Sequence, residues 1–571
     1  MKLKIVNFRL LFRLENVLFL LSIFLYVFGL IWPDTFWATH FFYFLELKFF
    51  ALFTLLIGAV LFLSKRNLFV RFRLNQFVIV VITILSFLIY YSVNISHDYY
   101  GDAKNFMPYK DEVARQLAPG FWNKFFSIQF KTGGSRWAVF DLYVLISYWF
   151  KVNINQVFVV MGALLGAGFN FLWFQFVKRF VTNVNQQIVL VAVGCLTPVG
   201  LLFCGHLEVY ALVLFLTMFW LYVLVIALAE KNKNSFWVSL LILVVLVKFN
   251  TISILLIPVV FLSGVWLYFG SHPKLRLWFQ SYKIVLYTLL PIAVLGLLAY
   301  FFVFQSHNDS RELTNNVQDI DRLFLPLFSP QSPLDTYNLL SFNHVFDYLM
   351  VFAFLGGSLV FIVFVVISKR QQLFDNPLIN LLSISILLYL GFLFMINPLM
   401  SLPVDWDLYM QVFPFVLVWL LLVFKEENIK IDKTLVCKVL ILSLMSLSAY
   451  PVLSHVDRHS KRFEAVGVRV YKTYYQHSGS YMLYALQMNY EQDAYKQRKD
   501  ALLKKLKPFQ REPKDRVMAE LHLDQGIIEY YKRNYIESKA YLNKAKDYYP
   551  NFEMTNQYLD SVSRKLKFKK K

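Results

Sequence analysis

Charge and cysteine are both scarce in this 571-residue chain. Asp, Glu, Lys and Arg make up only 16% of it, against about 25% in ordinary soluble domains. Acidic residues are the scarcer sign, 36 against 57 Lys and Arg, which leaves a formal net charge of +21. Only three cysteines occur, Cys195, Cys204 and Cys437, each inside an apolar run. That excludes a disulfide framework and a cysteine-based zinc site, and it reads as three small buried hydrophobes. No cleavable leader is expected either. The basic start Met1–Arg13 runs into an apolar stretch long enough to span a membrane, not into a short core with a small-residue cleavage site.

What is present is apolar and aromatic. Hydrophobic residues reach 58%, with 59 Phe and 34 Tyr. Together with the charge deficit this excludes a soluble enzyme, a disordered protein and a disulfide-stapled secreted domain. Thirteen apolar runs of near-membrane length lie at about 15–32, 46–64, 75–93, 154–177, 185–203, 207–228, 235–250, 252–269, 283–304, 347–368, 377–397, 408–424 and 433–450. The expected fold class is all-α: a polytopic helical membrane protein of about 13 transmembrane helices over residues 1–450, followed by a small helical domain over 451–571.

The basic residues give the orientation. Lys2, Lys4, Arg9 and Arg13, then Lys65, Arg66, Arg71, Arg73, Lys178, Arg179, Lys231, Lys233, Lys274, Arg276, Lys369, Arg370, Lys425, Lys430 and Lys433 all fall on one side of the thirteen-span arrangement. By the positive-inside rule that side is cytoplasmic. The apolar segment Trp137–Lys151 is short for a span and carries Asp141. If it crossed, every later basic loop would face outward, so it is expected to lie at the outer interface. The long or polar loops, 94–153, 305–346, 398–407 and the tail, then share the non-cytoplasmic face.

The tail holds 25 basic and 14 acidic residues from 455 onward, a net of +11. Its stretch 519–550 resembles one tetratricopeptide (TPR) repeat, with Gly526 and Ser538 at facing small positions and Leu542, Ala545 and Pro550 at later ones. One repeat cannot bury its own apolar face, so it is expected to pack on neighbouring tail helices.

Four polar clusters fall on the outer side. The first loop reads Asn94-Ile-Ser-His-Asp98-Tyr-Tyr-Gly101-Asp102, and a carboxylate at a membrane boundary can serve as general base toward a hydroxyl. The junction Gly205-His206-Leu-Glu208-Val-Tyr210-Ala211 joins two runs without a loop, and the four-residue spacing of His206 and Tyr210 places them on one helix face. Lys248-Phe-Asn250-Thr251 ends a run. Pro403-Val-Asp405-Trp406-Asp407-Leu408 forms a late turn. Taken singly, each also reads as ordinary loop polarity or a snorkelling lysine.

In order and position these clusters resemble the GT-C glycosyltransferases, among them the protein O-mannosyltransferases and aminoarabinose transferases. The resemblance covers about 15–450. It departs from the family in the first loop, where the acids are spaced rather than adjacent. It implies an inverting transfer of a sugar from a polyprenyl-phosphate donor to a protein or glycan hydroxyl on the outer face. Asp102, with Asp98 second, would be the base. Lys248, His206, Glu208, Tyr210, Arg136 of a Gly133-Gly134-Ser135-Arg136 turn, Asp405 and Asp407 would bind donor and substrate. No cofactor is required, although Asp102, Asp405 and Asp407 could hold a divalent metal. The TPR-like tail would offer a surface for a polypeptide acceptor. The expected location is a bacterial inner membrane with site and tail on the periplasmic face. Nucleic acid is not an expected partner, because sidedness accounts for the basic residues. The competing readings are a transporter or flippase of lipid-linked sugars and a non-catalytic scaffold that displays the tail.

Overall fold

The computed structural model describes residues 2–66, 74–95, 134–281, 284–285, 288–291, 325, 337–369, 376–397, 401–426, 429, 431–473, 501, 504, 507–509, 514–531, 533–550 and 552–569. Among these the chain is helical, with no β-strand. Ten helical stretches are long and apolar enough to cross a membrane. This marks an integral membrane protein.

The first helices are α1 (Lys2–Ile31), α2 (Leu47–Lys65) and α3 (Gln76–Val93). Then come α4 (Gly134–Phe150), α5 (Ile154–Phe180) and α6 (Val184–Cys195). They are followed by α7 (Tyr210–Ala229), α8 (Lys233–Phe249), α9 (Ile257–Phe269) and α10 (Pro273–Phe279). The later membrane helices are α11 (Phe342–Lys369), α12 (Pro377–Met395), α13 (Phe413–Glu426) and α14 (Lys433–Ser446). The short turn Trp406–Tyr409 extends α13 at its start.

Ten of the thirteen runs coincide with the ten apolar stretches. The other three differ in identifiable ways. The run 185–203 is broken: α6 stops at Cys195, and Pro198–Phe203 continues as a tighter 3-10 helix. A proline lacks the N–H that a continuing α-helix needs. The run 235–250 forms α8, a helix of 17 residues. Most of 283–304 lies outside the described residues.

Contacts between helix ends sort into two sets. One joins the basic segments: Lys178 to Gln76, Arg179 to Glu230, Asn185 to Ile431 and Gln186 to Ile429. Five helices leave this end of the bundle, α3, α6, α8, α12 and α14. Each begins at Asn75, Asn183, Asn232, Asn376 or Asp432, whose side chain accepts a first-turn N–H. The opposite set joins Ile95 to Cys204, His206 to Asp407, Asn250 to Gln411 and His344 to Phe394. Ile95, at the start of the 94–153 segment, belongs to this second set.

The stretch Trp406–Glu426 is the axis of the bundle, with 94% of its apolar window buried, whereas Leu47–Lys65 has 6%. Large apolar side chains such as Leu55 and Phe62 on α2 and Ile84 and Leu88 on α3 are exposed, as suits helices that face lipid. Residues at the start of the axial helix are therefore enclosed by protein.

Beyond α14 the chain forms α15 (Val456–Thr473). This helix lies within the segment expected to be a soluble tail, but it is docked on the second face of the bundle. Arg458 pairs with Glu46, Lys472 with Asp34, and Arg469 with the buried Asp347 of α11. Arg462 Nε donates to His40 Nε2 at 3.1 Å. Burial, and then the charge of Arg462, hold the His40 imidazole well below its usual range. The neutral ring carries its proton on Nδ1 and donates it to the Pro33 carbonyl. Further on, α16 (Lys514–Tyr531), α17 (Tyr535–Tyr548) and α18 (Glu553–Lys569) share a small core of Ala519, Leu523, Leu542, Ala545, Phe552 and Val562. Ser538 Oγ donates to the Gly526 carbonyl at 2.7 Å, so the two small positions read from sequence do face each other.

Candidate functional site

The segment between α6 and α7 is an irregular strap across the bundle. Its non-helical backbone is tolerated at this depth because residues 197–209 are all buried in protein. A Cβ at Gly162 or Gly166 of α5 would lie 2.9 Å from the Phe203 carbonyl or 2.5 Å from the Phe203 side chain. These two glycines, four apart, leave the groove in which Phe203 rests. Ile95 N–H donates to the Cys204 carbonyl at 2.7 Å, and Tyr450 OH to the Thr197 carbonyl at 2.9 Å.

Gly205 follows with φ +78°, and a Cβ there would meet Val159 Cγ2 at 2.6 Å. This left-handed residue turns the chain and places His206 outside α7, which begins only at Tyr210. The expectation that His206 and Tyr210 share a helix face is thus corrected: residues 206–209 are not helical, and only Tyr210 belongs to α7. Replacing Gly205 by Ala is expected to cost at least about 1–3 kcal/mol, from the backbone conformation alone. Thermal unfolding of the purified protein in detergent measures this, and an unchanged midpoint would contradict the strap geometry.

The turn brings His206 to the axial helix. His206 Nε2 lies 3.1 Å from Asp407 Oδ2, across 201 positions of sequence. Both residues are 5% exposed. The other Asp407 oxygen accepts the Leu408 N–H at 2.9 Å. Trp406 covers the pair, with its ring 5.6 Å from the imidazole and 4.6 Å from Phe354 of α11. Asp405, by contrast, is half-buried and stands at the start of the Trp406–Tyr409 turn. Glu208 and Tyr210 are buried in the strap and at the α7 start.

A second tie lies one turn further along. Asn250, just past the end of α8, donates through Nδ2 to Gln411 Oε1 at 2.5 Å and to Ser253 Oγ at 3.1 Å. Lys248 in the last turn of α8 acts on Asp141 of α4. Burial pushes the Asp141 carboxyl up to about 6, against the opposing pull of the Lys248 ammonium. Two late clusters, the His206 junction and the Asp407 turn, are therefore in direct contact, and the end of α8 joins the same turn.

Asp98 and Asp102 lie outside the described residues. Arg136 falls in the first turn of α4, so Gly134-Ser135-Arg136 is helical rather than a free turn. Among the described residues no group of three or more His, Cys, Asp or Glu could hold a metal ion. Asp407, one of the three carboxylates considered for a metal, is turned to His206. Gln411 was not among the expected residues, Trp406 entered only as part of the Pro403–Leu408 motif, and Asp141 only as an obstacle to spanning. Gln411 carries no charge inside an apolar run. Its one signal is its place four residues after Asp407. All three cysteines are free thiols, with Cys204 and Cys437 buried.

Comparison with protein-family models, with curated proteins and with solved structures finds no match to this chain.

Proposed function

We propose that this protein is a GT-C-type glycosyltransferase that moves a sugar from a polyprenyl-phosphate donor to a hydroxyl acceptor. The face opposite the basic loops is, on this reading, the non-cytoplasmic one. Thirteen crossings are the count that goes with it. The segment 184–203 and α8 run between the same two ends as the ten long helices. The thirteenth crossing is placed, on this proposal, between residues 281 and 337.

The observation that carries the reading is the buried His206–Asp407 pair at the second face, with Asn250 tied to the next turn through Gln411. Ionisable groups buried at a membrane protein's helix ends are costly and are retained for chemistry or transport. A transporter is expected to hold them near mid-span on broken helices. Here they gather at one end, where an outer-leaflet lipid phosphate and a water-borne acceptor can meet.

In the proposed reaction an acceptor oxygen attacks the anomeric carbon as the bond from that carbon to the phosphate oxygen breaks. Polyprenyl phosphate leaves, and Asp102 takes the acceptor proton, with Asp98 as the alternative base. One displacement inverts the anomeric centre. Negative charge grows on the departing phosphate, and Lys248 and Arg136 are the cations assigned to it. His206 and Asp407 orient the substrate from the inner side of the site. The helical hairpin of α16 and α17, with Gly526 against Ser538, supports a TPR-type repeat, and with it a polypeptide acceptor. A bacterial inner membrane is the proposed location.

The test is direct. The full chain, purified and returned to liposomes, should retain polyprenyl phosphate detectable by native mass spectrometry and should consume a polyprenyl-phosphate sugar. Protein that carries no such lipid and leaves every offered donor intact would sink the reading.

A further inference from the structure

We infer that Gln411 recognises a neutral oxygen, a hydroxyl or ring oxygen, of the transferred sugar, an assignment that rests on the glycosyltransferase reading above. Gln411 lies in the 3-10 turn Met410–Val412 that links Trp406–Tyr409 to α13, and it is 2% exposed. Asn250 Nδ2 can only donate, so the Gln411 atom that faces it is the carbonyl oxygen. The same Nδ2 donates to Ser253 Oγ, which also accepts from Tyr389 OH at 3.4 Å. In this network the Gln411 carboxamide turns its oxygen to Asn250 and its nitrogen away from it.

The consequence falls on the other end of the side chain. Gln411 Nε2 is buried and has no hydrogen-bond acceptor among the described residues. A buried donor left unmet is unfavourable, and in native proteins it marks a place for water or ligand. This one lies one turn from Asp407 and its partner His206. The character of the donor narrows the ligand. A phosphate drawn into a buried site requires a cation, and Lys248 and Arg136 are the ones assigned to it. An uncharged amide instead matches an uncharged oxygen, such as a sugar presents. A site built to donate to a substrate hydroxyl rejects the analogue that lacks it, because the donor is then left unpaired.

The experiment measures binding by the full chain in detergent, so it does not depend on turnover. The probes are bare undecaprenyl phosphate, undecaprenyl-phosphate mannose and aminoarabinose, and their deoxy analogues. The proteins are wild type, Gln411→Met and Gln411→Asn. The Met variant has nearly the same length but no amide. The Asn variant keeps the amide and withdraws it, which preserves a readout if the Met variant does not fold. Wild type should prefer a sugar-bearing lipid over the bare one and over its deoxy analogue. Both variants should lose that preference by roughly 10- to 100-fold while they bind bare undecaprenyl phosphate as before. Variants that keep the wild-type preference overturn the assignment and leave the glycosyltransferase reading standing. Wild type that binds all the lipids equally overturns it too, and the donors are then met by water. Wild type that binds none of them removes the reading itself, and the assignment with it.

Discussion

Replacing Arg469 by Met should destabilise the protein by about 3–5 kcal/mol, the usual cost of leaving one member of a buried ion pair uncompensated. Asp347, in the second turn of α11, is 1% exposed. Arg469 Nη2 and Nε reach its Oδ1 at 3.2 and 3.3 Å. The same oxygen accepts Trp37 Nε1–H at 3.2 Å, and Oδ2 accepts Tyr337 OH at 3.4 Å. Removing Arg469 leaves a carboxylate with two neutral donors in a site closed to water. Removing both charges at once should be far milder. Asn in place of Asp347 still offers an oxygen to Trp37, so the double variant Asp347→Asn, Arg469→Met is expected to recover most of the loss. Equilibrium unfolding in mixed detergent, run as a double-mutant cycle, gives the coupling. A single variant as stable as wild type would show that α15 does not dock on α11.

The docking bears on the site because contacts continue inward. The Arg462 guanidinium sits 5.0 Å from the Phe41 ring centre, and Phe41 and Trp37 both abut Phe354. Phe354 in turn packs on Trp406, which covers His206. The helix that leads into the tail thus rests on the same aromatic cluster that walls the His206–Asp407 pair.

Asp102→Asn should lower sugar transfer by about 10²- to 10⁴-fold, the range that a positioned general base contributes. The carboxamide keeps the size of the side chain and cannot take a proton, so abundance and membrane insertion should hold while turnover falls. Asp98→Asn should have a smaller effect. Transfer assays in liposomes, normalised to folded protein, compare the two directly. Full activity in both variants would remove the first-loop acids from the chemistry and leave Asp407 as the carboxylate to examine next.

That the basic segments gather at one end of the bundle was legible in the sequence. A lysine or arginine is costly to bury in lipid wherever the chain folds, so the segments at 65–73, 178–179, 231–233 and 425–433 report their side from composition alone. The α3, α6, α8, α12 and α14 starts were legible for a similar local reason, since Asn and Asp cap a helix through their own first turn. The break after Cys195 was less so. Pro198 marks it, but the 3-10 path and the turn at Gly205 depend on the groove that Gly162 and Gly166 leave on a different helix.

The sequence by itself determined an all-helical membrane protein with two chemically distinct ends, because spanning length and charge are properties of contiguous residues. It also placed the His206, Asn250 and Asp407 clusters at one end. Only the tertiary structure decided which of them meet: His206 with Asp407 and Asn250 with Gln411. It likewise decided that the helix after Pro451 docks on the bundle through Arg469 and Asp347. Those pairings join residues more than a hundred positions apart, and the local periodicity of a chain carries no information about which of its helix ends will be neighbours.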